Sequence, residues 1–427
     1  MSKNKQILPI IVMIFLFGII SFVTNLASPM GDVLKHQFIL PNWLAQLGVF
    51  ANFIAYAILG VPSGILLQKM GYKKTSLLAV SVGFVGVGIQ TLSGTLGDGT
   101  SAYCIYLTGA FIAGFSMCLL NTVVNPMLNS IGGGGKKGNQ LVQLGTAFNS
   151  FAGTAVIMLV GVLVGDITKA SISSVYPVMY IALGVFAFAF LVILFTRIQN
   201  PVLKTVAVAA KRNLLKVRHF LLGAIAIFFY VGIEVGTADV LFTWLADKDL
   251  NLLGDPLTAA TIAGFVAGTY WFLMLIGRLV GAAIGGKVSS RVMLSTVASI
   301  GLLLVLLAIF SDVNNKVNLP VLMRSAEGAL TFGTALVPIN AFYLVLVGLC
   351  MSVMWGGIFN LAVEGLGSQT EKASGIFMTL CCGGAILPLL QNYIVDISSY
   401  ATSYWVIVAG LAYLLYYALV GCKISKN

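Results

Sequence analysis

The segment FYVGIEVGTADVL, Phe229 to Leu241, sets two carboxylates, Glu234 and Asp239, inside a long apolar run. A charge in an apolar medium is costly, so an acid kept there marks a function unless a partner neutralises it. Tyr230 and Thr237 stand four residues before and three after Glu234, which puts the three on one helical stripe. Gly232 and Gly236 let a neighbouring backbone come close. Asp239 is five residues on, about 140° further round an ideal helix, so it need not share that face and can look toward outer water. Glu234 is expected to bind a proton or cation, or to accept hydrogen bonds from ligand hydroxyls. The plainer reading is a structural carboxylate paired with a neighbouring helix. Arg278 is its candidate partner, read as structural because it falls near the end of its run.

The other polar residues inside apolar runs are mostly amides, among them Asn25, Asn121, Asn125, Asn149 and Asn360, with Thr146 and Ser150 beside them. Amides supply donors and acceptors without a desolvated charge, which suits a neutral polyhydroxy ligand. Tyr230, Tyr270, Trp271 and Trp355 are the aromatics placed to stack on the apolar face of such a ligand. Most aromatics in a chain of this kind serve packing or the membrane interface.

These residues must be positioned by membrane-spanning helices. The chain has 427 residues, 59% hydrophobic and 9% charged, with mean hydropathy +1.00, well beyond a soluble domain. A span needs about 20 apolar residues, and twelve such runs are legible, from 7–30 to 402–421, the tenth at 334–363. Continuous runs of this length exclude the short alternating strands of a barrel. The expected fold is all-α, twelve helices in two six-helix bundles. Residues 1–196 form the first bundle, 197–219 a basic linker and 220–427 the second.

The formal net charge of +11 reports topology, and no nucleic-acid partner is expected. With alternating spans, eighteen of the 24 Lys and Arg fall on the side of the termini and five on the other, with Arg278 inside a span. By the positive-inside bias both termini are cytoplasmic, in a chain expected in a bacterial inner membrane as a lipid-embedded monomer. Lys3 and Lys5 before the first run resemble a signal peptide, but no small-residue cleavage site follows, so the run is read as a retained helix. GILLQKMGYKKTSLL (64–78) echoes GAAIGGKVSSRVML (281–294), and FNSFAGTAV (148–156) echoes FMTLCCGGA (377–385), the pattern of parallel repeats.

An enzyme is not expected. The two histidines, His36 and His219, fall on opposite sides, and neither HExxH nor GxSxG occurs. GGGKKGNQ (133–140) lacks the strand and spacing of a phosphate loop and reads as a flexible loop. The six cysteines form no CxxC pair and read as small apolar packing, with no metal site or cofactor implied.

The motifs NTVVNPMLNSIG (121–132), LGTAFNSFAGT (144–154), FYVGIEVG (229–236), IGRLVG (276–281) and IFNLAVEGLGSQTEKASGIFMTLCCGGAILP (358–388) together resemble the fucose–galactose–glucose–proton symporters of the major facilitator superfamily. The resemblance spans nearly the whole chain. It implies alternating access around a central sugar site, with Asn25 and Asn149 at sugar-site positions and Asn125-Pro126 as the signature of the fourth helix. Glu234 matches the acid of glucose-type members. Three positions depart from the fucose-type pattern: Ser28 replaces an aspartate, Asn121 a glutamate and Thr146 a glutamine. The loop between helices two and three also departs, with Gln68 where an acid is usual. Coupling to H+ or Na+ is therefore expected through Glu234, with Asp239 beside it. The alternatives are uniport and carriage of a non-sugar small molecule.

Overall fold

The computed structural model describes residues 4–424, except 98, 134, 165–169, 199–213, 248–249, 251, 254–255, 325–329 and 367–368. Most of the basic linker lies outside the described residues. Helix α1 runs Asn4–Phe38, followed by the short α2 (Asn42–Ala45). Then come α3 (Leu47–Ser93), α4 (Thr100–Ile131), α5 (Gly135–Val164) and α6 (Tyr176–Phe195).

Helix α3 holds two spans. Its first part runs alongside α4, with Ser63 bonded to Thr122 at 2.7 Å, and α2 just before it is held by Tyr103 of α4, whose hydroxyl donates to the Leu44 carbonyl at 2.7 Å. Its second part runs against α4, where Gly86 abuts Ala113 and Gly109 abuts Gln90. The reversal sits at Gly71, with φ 75° and ψ 172°, a backbone region open to glycine and strained for side chains.

The second six spans begin at α7 (Arg218–Ala246), α8 (Pro256–Ile284) and α9 (Ser290–Phe310). An antiparallel hairpin follows, β1 (Lys316–Arg324) and β2 (Leu330–Pro338), with Lys316 opposite Pro338. The sequence reading missed it and began the tenth span at 334. Its pattern is period two: Leu319, Val321, Ala335 and Val337 are buried while Leu336 is exposed, the signature of a strand with one packed face. The tenth span is α10 (Ile339–Met351) and α11 (Met354–Val363), broken at Ser352–Val353. The eleventh is α12 (Thr370–Thr379) and α13 (Gly383–Ile397), joined by a tight turn at Leu380–Cys382. The last is α14 (Tyr400–Ser403) and α15 (Trp405–Tyr416).

Among the described residues, ten stretches are long and apolar enough to cross a membrane. One of them, 47–96, folds back at Gly71, and α5 is a further helix of 30 residues, so the twelve spans are all present as helices. The glycine-rich run read as a loop is corrected: residues 135–140 belong to α5. Gly138 presses on the Asn129 carbonyl of α4 and Gly132 on the Gly138 backbone, so the glycines tighten a helical hairpin. Helix α6 is apolar all round, and α6 and the second half of α9 keep large side chains such as Phe188, Phe195, Leu303 and Phe310 exposed, as expected of faces turned to lipid.

The start of α1, the turn at Gly71, the start of α5, the end of α8 and the start of α9 gather at one end of the molecule. Near that end the two halves touch backbone to backbone, Gly375 against the Gly60 carbonyl, and Gln140 Nε2 donates to the Ala282 carbonyl at 3.2 Å. At the opposite end the Asp396 carboxylate accepts from Asn42 Nδ2 at 2.9 Å and from the Trp43 backbone N–H at 3.3 Å, across the same seam.

Candidate functional site

Helices α1, α3, α4 and α5 from the first half and α7, α8, α11 and the turn at Cys381 from the second enclose a central cavity. Glu234 lies on its wall. Arg278 Nη2 stands 2.8 Å from Glu234 Oε1, with only 3% and 13% of the two side chains exposed. Tyr230 sits one turn earlier on α7 and donates its hydroxyl to the same oxygen at 2.8 Å. Tyr270 of α8 donates to the Glu234 backbone carbonyl at 3.1 Å. The acid is thus fixed by three groups, two of them tyrosines that are fully buried behind it.

Arg278 does more than pair. Its Nη1 donates to the Thr146 carbonyl at 2.8 Å and the Ser150 hydroxyl at 2.6 Å, with Asn149 Oδ1 at 3.4 Å. Those three residues lie on α5, in the opposite half. Its Nε reaches the Ser352 carbonyl at 3.4 Å, which the break between α10 and α11 leaves without a helical partner. Gln143 takes the Val353 carbonyl at 3.4 Å across the same seam. Irregular backbone within a membrane is tolerated where protein groups satisfy it; here Arg278 serves the Ser352 carbonyl, and Gln143 adds a second donor to the Val353 carbonyl, which the Gly357 N–H already reaches at 3.2 Å. The position near the helix end read from sequence is corrected in effect: α8 ends at Ile284, but the long side chain of Arg278 reaches the cavity wall.

The structure brings six expected ligand residues onto the cavity, Asn25, Asn121, Asn149, Glu234, Trp271 and Trp355, with Thr146 and Arg278 beside them. Asn25 Nδ2 donates back to Ser21 at 2.9 Å. Asn121 Nδ2 donates to the Tyr56 hydroxyl at 2.9 Å, and Asn149 Nδ2 to the Phe17 carbonyl at 3.0 Å. Each amide is oriented by its own scaffold, as a preformed polar site requires. Trp271 and Trp355 supply two indole walls.

The remaining expected residues stand elsewhere. Asn125 is wholly buried behind the wall. Its Oδ1 accepts from Trp355 Nε1 at 3.0 Å, a bond from the fourth span to the tenth that sets the indole. Tyr230 and Tyr270 are behind Glu234 and do not face the cavity, so a stacking role is replaced by an orienting one. Asn360 Nδ2 donates to Ser290 Oγ at 3.2 Å, at the start of α9. Asp239 does not look toward outer water: it is 2% exposed and accepts from Gln46 Nε2 at 2.9 Å and Asn392 Nδ2 at 3.0 Å. Asp32, two residues past the first apolar run at 7–30, is also buried, because α1 continues to Phe38. Tyr56 and Cys381 line the cavity unannounced by any sequence pattern.

The described residues contain no cluster of three or more His, Cys, Asp or Glu placed to hold a metal. The arrangement can bind a small neutral polyol through amides, an ion pair and indole faces, and it can respond to any ion that breaks the pair.

Comparison with known proteins places this geometry. The family model described as Major Facilitator Superfamily matches residues 10–388. A glucose/galactose transporter of Brucella abortus biovar 1 (strain 9-941) is 27% identical over 418 residues, covering 96% of this chain and 92% of the relative. An L-fucose-proton symporter of Escherichia coli (strain K12) is 23% identical over 417 residues, covering 91% and 87%. The crystal structure of FucP, a Major Facilitator Superfamily transporter in the outward conformation, superposes with a TM-score of 0.73 at 20% identity, over 97% of this chain and 98% of that one.

Proposed function

This chain belongs to the Major Facilitator Superfamily, and on that premise we propose that it carries a hexose or related monosaccharide across a membrane by alternating access. The observation that carries the reading is the Arg278–Glu234 pair in the wall of a cavity built from both halves. Relatives named as glucose/galactose transporter and L-fucose-proton symporter support the substrate class.

The two six-helix bundles, 1–196 and 220–427, rock about the cavity, with 197–219 as the cytoplasmic linker. Both termini are cytoplasmic in a bacterial inner membrane, and the working unit is a monomer. Asn25, Asn121, Asn149, Trp271 and Trp355 contact the sugar. Asn125 orients the indole, and Tyr230 and Tyr270 orient Glu234. Asn360 acts from the edge of the bundle.

Coupling to H+ or Na+ runs through Glu234. The same Arg278 guanidinium holds α5, so the charge on Glu234 decides how firmly the halves are joined at the cavity. An ion shifts a conformational equilibrium only by its differential affinity for the states. Glu234 and Arg278 both belong to the second half, so neutralising Glu234 leaves the guanidinium without its counter-charge and dependent on its α5 acceptors, which it reaches only when the halves are closed; that supplies the difference. The test is sugar uptake by proteoliposomes under an imposed proton gradient, an imposed sodium gradient, or neither. Accumulation that E234Q leaves unchanged would sink the coupling role, and no uptake of any monosaccharide would sink the substrate class.

A further inference from the structure

A second polar cluster crosses the seam, at the end of the molecule away from the termini. From the first half come Asp32 on α1 and Gln46, the residue between α2 and α3. From the second come Asp239 on α7, Asn392 on α13 and Tyr404 at the start of α15. All five are buried. Gln46 and Asn392 each give an amide N–H to Asp239, one to each carboxylate oxygen. Their amide oxygens, Gln46 Oε1 and Asn392 Oδ1, then have no hydrogen-bond partner, and neither has the Tyr404 hydroxyl. Each of those amide oxygens is bonded to the carbon that carries the donating nitrogen, so it is held beside the Asp239 carboxylate. Asp32 and Tyr404 are within electrostatic reach of Asp239.

Buried polar atoms in folded proteins are nearly all satisfied, and several orphans in one place ask for a missing group. Asp32 and Asp239, each within electrostatic reach of the other, repel when both are charged. The charged neighbours of the cluster are Lys35, which acts on Asp32, and Asp247, which accepts from the Tyr400 hydroxyl at 2.9 Å. Tyr400 in turn lies within reach of Asp32. Asp247 is held by Tyr400, outside the five residues of the cluster; within the cluster, Asp32 and Asp239 against Lys35 leave a single negative charge, which one monovalent cation cancels. A shared proton would relieve the repulsion but would satisfy one oxygen and leave the orphaned ones as they are. Carboxylate, amide and hydroxyl oxygens are the donors that hard cations take.

We propose that Asp32, Gln46, Asp239, Asn392 and Tyr404 form a site for one monovalent cation, sodium in the first instance, seated across the seam between the two halves. The inference rests on the transporter reading for its purpose. Because its oxygens come from both halves, the cation binds only when this end is closed, and its release accompanies opening. It deepens the ion-coupling role expected of Asp239 by giving that acid a partner, Asp32, from the other half.

The test is binding of radioactive sodium to the purified full chain in detergent, with choline holding ionic strength constant. Wild type should bind sodium saturably. D239N and D32N should bind at least tenfold more weakly, and Y404F, which removes one oxygen and keeps the ring, a few-fold more weakly. Absence of saturable binding in wild type overturns the proposal, as does full binding in well-folded D239N and D32N. Loss of binding in E234Q alone also overturns it, by placing the cation in the central cavity. Stability that follows pH but not sodium overturns it in favour of a shared proton. Sugar counterflow on the same preparation separates the two readings. Counterflow without sodium binding sinks the cation site alone. Sodium binding without counterflow of any monosaccharide sinks the sugar-carrier reading alone.

Discussion

Arg278 and Glu234 meet at 2.8 Å in the wall of the central cavity, and the same guanidinium holds the Thr146 carbonyl and the Ser150 hydroxyl on the far side of the seam. One cation therefore joins the acid of the seventh span to the fifth span of the opposite half. Nearly all of both side chains is out of contact with solvent.

The pair should be unequal to its parts in stability. Removing one member of a buried ion pair strands the other and costs roughly 3–5 kcal/mol, whereas replacing both is often close to neutral. E234Q and R278M should each lower unfolding stability on that scale, and the E234Q/R278M double variant should lie closer to wild type than either. Chemical denaturation in detergent micelles measures all four proteins. Additive losses would mean that the two charges do not interact.

Arginine itself is required at position 278. Its fork reaches α5, α7 and the break at Ser352 at once, and lysine is a single point charge. R278K should keep the charge balance yet lose most concentrative uptake, at least tenfold at fixed gradient. Initial-rate uptake in proteoliposomes reports this. Activity near wild type in R278K would show that charge alone suffices.

Asn125 should act only through Trp355. The bond from Trp355 Nε1 to Asn125 Oδ1 at 3.0 Å is worth about 1 kcal/mol, or roughly fivefold in KM. N125A and W355F each break it, so the double variant should be less impaired than the product of the two. Transport kinetics across the four proteins form the cycle.

The seam depends on absent side chains. A Cβ at Gly60 would fall 2.6 Å from the Thr379 Cα, and backbone cannot yield as a flexible side chain can. G60V should prise the halves apart and admit solvent to the cavity. Cys381 lines that cavity and is 2% exposed. In a background where Cys381 is the one remaining cysteine, its labelling by a permeant maleimide should speed several-fold in G60V, and a bound sugar should slow it in the parent. Equal labelling in both would show that Gly60 does not set the closure.

Much of this was legible in the chain. Runs of about 20 apolar residues are enough to specify spanning helices, since a bilayer leaves the backbone no partner but itself. Their count and the placement of Lys and Arg yield the order of elements, and an acid in the seventh run announces itself by its cost. The tertiary structure decided what the charges meet. Arg278 and Glu234 are 44 residues apart, and Asp239 and Gln46 are 193 apart. Helical periodicity fixes which residues share a face of one helix and is silent on which helix lies opposite. For that reason Arg278 read as a residue near a helix end and Asp239 as an acid looking to water, and Asp32, just past the first apolar run, gave no signal. Packing of the two halves turned the first into the hub of the cavity. It turned the other two into buried carboxylates within electrostatic reach of each other across the seam, because residues from the first and second halves share a dry space there.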